Sequence, residues 1–253
     1  MPGTMLLVGA HMDDCENGAS GVMLDAIRHG WRVVTVTVTG DFSTWGQTLG
    51  REDAVRRQLL DLAERFGYEK RFLDYAYHNV EPDLVLKRRL AEMQDELRPD
   101  IGLVHWPEDH WPDHRAVGIA AKDALGFAHG LSGNLQAPKC PRVFAYSATP
   151  HQTWHFEPDF YHDLTPVIGE FMGLVAGTDS CLSGRPVEEL RANTVSLGFG
   201  GVAPTEPMRC TGHGWIKLAE CVVWGDQSGT RYPFALGLRT LWGPSDRPLF
   251  EDE

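Results

Sequence analysis

The chain has 253 residues, 42% of them hydrophobic, enough to bury a full core, and a single domain spanning 1–253 is expected. Its formal net charge of −12 and lack of any Lys/Arg cluster argue against nucleic acid or an anionic membrane surface as a partner. No stretch reaches the roughly 18 apolar residues of a membrane span, and the N-terminus lacks the basic region of a secretion signal, so a cytoplasmic location is expected.

Met5-Leu6-Leu7-Val8 is short and wholly apolar, which reads as the buried first strand of a parallel sheet. It runs into Gly9-Ala10-His11-Met12-Asp13-Asp14-Cys15-Glu16, placing a histidine and two carboxylates where an open α/β sheet builds its active site. Glu16 to His29 reads as the first helix, stopped by Gly30, and Arg32 to Thr39 as a β-branched second strand. The first turn has no Gly-x-Gly-x-x-Gly and carries charge where pyrophosphate would lie, which argues against a dinucleotide site. The next loop, Asp41-Phe42-Ser43-Thr44-Trp45-Gly46-Gln47, suits stacking against and hydrogen-bonding a sugar, and equally suits packing. Asp41, Trp45 and Arg51 are its candidate substrate contacts.

Helices are expected at Glu52 to Phe66, Pro82 to Leu97 and Asp113 to Ala128, with a weak third strand near Arg71 to Leu73. A fourth strand, Ile101 to Trp106, leads into Pro107-Glu108-Asp109-His110-Trp111-Pro112-Asp113-His114. In the doubly wound order 3-2-1-4-5, strands one and four adjoin at the topological switch point, so the two motifs meet. Pro141 to Tyr146 reads as a fifth strand and Thr165-Pro166 as a helix start, while the tail after Gly225 reads as surface coil with a loosely packed acidic end. Five cysteines with no Cys-x-x-Cys pair are expected to be free thiols.

Singly, these residues have plain readings: Asp-Asp pairs cap helices, and a histidine beside a strand is usually a surface or hydrogen-bonded group. Together at adjoining strand ends they fit a catalytic metal site, which takes three protein ligands and keeps a position for water. Of two adjacent aspartates, one can ligate while the other faces that open position as general base.

The two motifs resemble those of the PIG-L/LmbE-type metal-dependent N-deacetylases, a His-Pro-Asp-Asp run and an Asp-x-His-x-Asp-His run. Met12 stands at the usual proline, Trp111 stands at the middle histidine, and His110 falls one position early. Gly212 to Glu220 resembles a late segment of the same family. The resemblance implies an α/β, Rossmann-like (LmbE-like) sandwich, with a mostly parallel sheet and helices on both faces. It implies His11, Asp14 and His114 as ligands of Zn2+ or another divalent metal, Asp13 as general base and Asp113 as an orienting partner. His110 and His213 are candidates to protonate the leaving amine, and Trp111 joins the substrate contacts. The implied activity is hydrolysis of an N-acyl group, expected to be acetyl, on a small-molecule amino sugar or glycoside. A different acylated amine is the alternative substrate, and a non-catalytic carbohydrate-binding protein is the rival class. Homo-oligomer formation is left open.

Overall fold

Successive residues of the first strand enter two different cores: Met5 and Leu7 pack with Val22, Met23, Phe171 and Leu174, whereas Leu6 and Val8 pack with Val36, Leu86, Leu90 and Val117. That period-2 alternation in a strand buried on both faces places helices on both sides of the sheet. The computed structural model describes residues 2–148, 153–190, 223–224, 234–244 and 248–250.

Five strands run parallel: β1 (Thr4–Gly9), β2 (Arg32–Thr37), β3 (Glu69–Phe72), β4 (Ile101–His105) and β5 (Arg142–Tyr146). Their order is β3-β2-β1-β4-β5, as expected for a doubly wound sheet. Met5 pairs with Ile101 and Val8 with Val104, so the turns after β1 and β4 leave the sheet side by side. One face carries α1 (Asp14–Arg28), α2 (Glu52–Phe66) and α6 (Ile168–Ser183); the other carries α3 (Leu84–Leu97), α4 (Pro112–Gly126) and α5 (Ala128–Leu131). α3 starts two residues later than expected, because Asp83 caps it by accepting the Leu86 N–H at 2.9 Å, which leaves Pro82 outside.

The tail differs from the expected coil. Phe234–Trp242 forms β8, which continues the sheet antiparallel to β5 and also pairs with β6 (Phe160–Asp163) and β7 (Val223–Trp224). Its sequence alternates Phe234, Leu236, Leu238, Thr240 and Trp242, a strand period masked by the surrounding Pro and Gly. The end is packed as well, with Leu249 and Phe250 buried and the Phe250 ring against Trp31 and His29. Among the described residues no helix is long and apolar enough to cross a membrane.

Edge strand β3 is polar, and it is held by a buried ion pair. Lys70 Nζ lies 2.9 Å from Glu16 Oε1 of α1, with both side chains almost fully buried, and the Tyr68 hydroxyl donates to the same oxygen at 2.8 Å. Removing one member of such a pair strands the other charge. Lys70→Met is therefore expected to cost about 3–5 kcal/mol in urea unfolding, and Glu16→Gln/Lys70→Met, which keeps an acceptor for Tyr68, to recover a substantial part.

Candidate metal centre

His11 stands two residues past the end of β1, and Asp14 is the first residue of α1. His114 lies in the first turn of α4, whose first residue, Pro112, has no N–H to lose. The β1–β4 pairing carries these three together, with one donor atom from each within 4.8 Å of the others. His11 Nδ1 and His114 Nε2 face each other at 3.1 Å; Asp14 Oδ1 is 3.3 Å from His114 Nε2, and Asp14 Oδ2 is 3.4 Å from His11 Nδ1. A tetrahedral cation with bonds of about 2.0–2.1 Å needs ligand atoms about 3.3–3.4 Å apart, and each histidine nitrogen lies near that distance from one of the two Asp14 oxygens.

The far side of each ring fixes its tautomer. His11 Nε2 donates to Asp113 Oδ2 and His114 Nδ1 donates to Asp109 Oδ2, each at 3.0 Å, because a carboxylate can only accept. When such a ring is neutral its lone pair lies on the inner nitrogen, toward the cluster, the usual arrangement behind metal-binding histidines. Asp14 is oriented in turn by the His11 N–H at 2.6 Å, and His105 Nε2 lies 3.1 Å from Asp14 Oδ2. The His105 ring stacks on His114 at 4.3 Å.

Burial opposes charge throughout this cluster, and the neighbours overrule it at Asp14 and His114. Facing imidazoles of His114, His11 and His105 hold the Asp14 carboxyl well below its usual range. Asp14 and Asp109 push His114 up to about 10. His105 moves the other way, lowered by burial and by His114. At neutral pH a proton and a cation thus compete for His114 Nε2.

The remaining expected residues fall into three groups. Asp13 occupies the N-cap position of α1 without a side-chain cap bond; its buried carboxylate accepts Asn17 Nδ2 at 3.0 Å. Asp113 accepts the His78 N–H at 2.8 Å as well as His11, linking His11 to the loop after β3. Trp111 packs edge-on against His11 with centroids 6.1 Å apart. By contrast, Asp41 is exposed and its pKa is lowered by hydrogen bonds from the Ser43 hydroxyl and the Ser43 N–H, while Arg51 donates to the carbonyls of Leu182 and Gln47. His110 is exposed, its ring between Trp111 and Trp154. Cys15 is buried beside Tyr146, and burial pushes its thiol up, away from nucleophile chemistry. His213 lies outside the described residues.

Sequence reasoning assigned no role to Asp109, His105, Tyr77 or His78. Asp109 was visible as the first acid of the second motif and His105 as the last residue of a buried strand; only the fold shows what they touch. Tyr77 stacks on Trp45 and lies 4.8 Å from His11.

Fold and cluster define a class, an α/β protein with a His–Asp–His metal-type site at the sheet's switch point. Residues 6–125, which contain both motifs, match the family model PIG-L, described as GlcNAc-PI de-N-acetylase, so the resemblance to that family holds over the part of the chain that builds the cluster. No curated protein matches the chain by sequence. Among solved structures, it is similar to GalB, the 4-carboxy-2-hydroxymuconate hydratase of Pseudomonas putida KT2440 (TM-score 0.68, 20% identity, covering 98% of this chain and 99% of that one). It is similar to N,N'-diacetylchitobiose deacetylase of Pyrococcus horikoshii (TM-score 0.64, 17% identity, 94% and 83% covered). It is also similar to the zinc-inhibited form of teicoplanin deacetylase Orf2 (TM-score 0.59, 13% identity, 96% and 100% covered).

Because the cation must displace the His114 proton, metal uptake at neutral pH is expected to release protons and to weaken as pH falls. Titration calorimetry in buffers of different ionisation enthalpy measures this. Asp109→Asn should lower metal affinity about 10–100-fold without removing a ligand.

Proposed function

We propose that the chain is a single-domain, zinc-dependent hydrolase that removes an N-acyl group, acetyl by preference, from an amino sugar or glycoside. The observation that carries this reading is the cluster itself: one donor atom each from His11, Asp14 and His114 within 4.8 Å of one another, each outer ring nitrogen held by its own carboxylate, in the stretch that matches a de-N-acetylase family model. The fold alone would not choose the reaction, since a hydratase shares it.

A divalent cation held by His11, Asp14 and His114 would supply a nucleophile at neutral pH and polarise the amide carbonyl. Asp13, the residue before the ligand Asp14, takes the proton of the attacking water and returns it to the leaving amine as the C–N bond breaks. Its buried carboxylate accepts Asn17 Nδ2–H at 3.0 Å, a contact that orients it beside Asp14. Asp113 and Asp109 keep both imidazoles in the ligating tautomer.

Elemental analysis combined with amine release from N-acetylglucosamine-type substrates tests the assignment. Wild type is expected to hold about one metal, His114→Ala to lose it, and Asp13→Ala to keep it while losing about 10²–10⁴-fold in turnover. Protein never exposed to chelator that is metal-free, and stays so after zinc addition, would overturn the mechanism. Bound metal with release only from non-sugar amides would move the substrate to another acylated amine, and bound metal with no amide hydrolysed would favour a binding protein.

A further inference from the structure

His105, the last residue of β4, is buried, and its ring touches two of the three cluster residues. Its face stacks on His114 with centroids 4.3 Å apart, and its Nε2 lies 3.1 Å from Asp14 Oδ2. The ring is firmly seated. A Cβ on Gly118 would come within 2.6 Å of the His105 carbonyl oxygen, so α4 runs directly against this strand end, and the Tyr146 ring flanks the imidazole at 4.9 Å.

Two groups make opposite demands on Nε2. Asp14 Oδ2 can only accept, whereas the Ala10 N–H, which points at the same nitrogen from 3.0 Å, can only donate. Nδ1, on the other side of the ring, is buried with no hydrogen-bond partner among the described residues. Burial and the neighbouring His114 lower the pKa of the ring, so at neutral pH it is uncharged and a single nitrogen carries the proton.

The two tautomers differ in what they leave unmade. With the proton on Nδ1, that N–H is stranded in the interior and the Nε2 lone pair faces the carboxylate at 3.1 Å. With the proton on Nε2, the Ala10 N–H loses its acceptor instead, but Nε2–H gives Asp14 a charge-assisted bond, about twice as strong as a neutral one, and Nδ1 keeps only an unused lone pair. Each form strands one donor, and only the second gains the bond to the carboxylate. Asp14 Oδ2 also accepts the His11 N–H at 2.6 Å, so with His105 both lone-pair sites of that oxygen are used. Oδ1, 3.3 Å from His114 Nε2, is the oxygen left for the cluster.

We propose that His105 is a positioning residue for the metal centre, protonated on Nε2 and donating to Asp14 Oδ2, so that Asp14 presents Oδ1 alone to the cation. The assignment rests on the metal-binding part of the deacylase reading and is independent of the substrate.

Long-range 15N–1H spectra of protein carrying 15N-histidine show which ring nitrogen bears the proton, the His105 signal being the one missing from His105→Gln. Zinc affinity is measured by competition with a chelator for wild type, His105→Phe and His105→Gln. The proton is expected on Nε2 with and without zinc. His105→Phe, which keeps a ring for packing but has no donor, should weaken zinc about 10–100-fold while still binding one ion, and His105→Gln, which loses the ring but keeps an amide donor, should recover most of that loss. A ring needed only for packing gives the opposite order of the two variants. A proton on Nδ1, or zinc affinity unchanged in His105→Phe, would overturn the assignment and leave the metal reading intact. Wild type that takes up no zinc would overturn the metal reading, and the assignment with it.

Discussion

A carboxylate taken out of water must be surrounded by donors, and Asp14 is the carboxylate around which this site is arranged. It is 3% exposed, and its oxygens are met by the His11 N–H and by imidazoles of His11, His114 and His105. These groups come from two strand ends and two helix starts, so the charge is compensated only if β1 and β4 adjoin. The parallel pairing of two apolar strands is thus also the condition for an affordable buried ion.

Asp113 carries the second constraint. One carboxylate accepts His11 Nε2–H, the His78 N–H and, at 3.4 Å, the Val80 N–H. Ligand orientation and the loop that bears Tyr77 and His78 are therefore set by a single side chain at the start of α4. Burial raises its pKa, but His11 and the two backbone N–H groups lower it below the ordinary carboxylate range, so it stays an acceptor for all three.

What could be read from the sequence follows from how local each signal is. The strands β1, β2 and β4 are continuous apolar or β-branched runs, and their order needed only the doubly wound pattern, so the meeting of His11, Asp14 and His114 was legible before any coordinates. β8 was not, because its alternation is short and set among Pro and Gly, and its partner β5 lies 90 residues earlier. β3 was only faintly visible, since Lys70 is buried by virtue of Glu16, a contact no window around residue 70 contains. The strand was expected at Arg71 to Leu73 and stands at Glu69–Phe72, in the expected place in the sheet order. No residue of the loop after it was given a role, because Tyr77 and His78 show their contacts with Trp45 and Trp111 only in the fold.

Trp111 shows why a motif departure is better read in the structure than in the string. In the sequence it only replaces a histidine of the resembled pattern. In the fold it stands at the N-cap of α4 with its ring against His11, His78, Tyr77 and His110, joining two halves of an aromatic surface that would otherwise stop at the cluster. An imidazole there would offer a proton; an indole offers a broad apolar face and a single donor. His110, one residue earlier, is displaced outward against Trp154 and is no substitute for the missing group. On the proposed deacylase reading, the proton for a leaving amine would come back from Asp13 and position 111 would contact substrate.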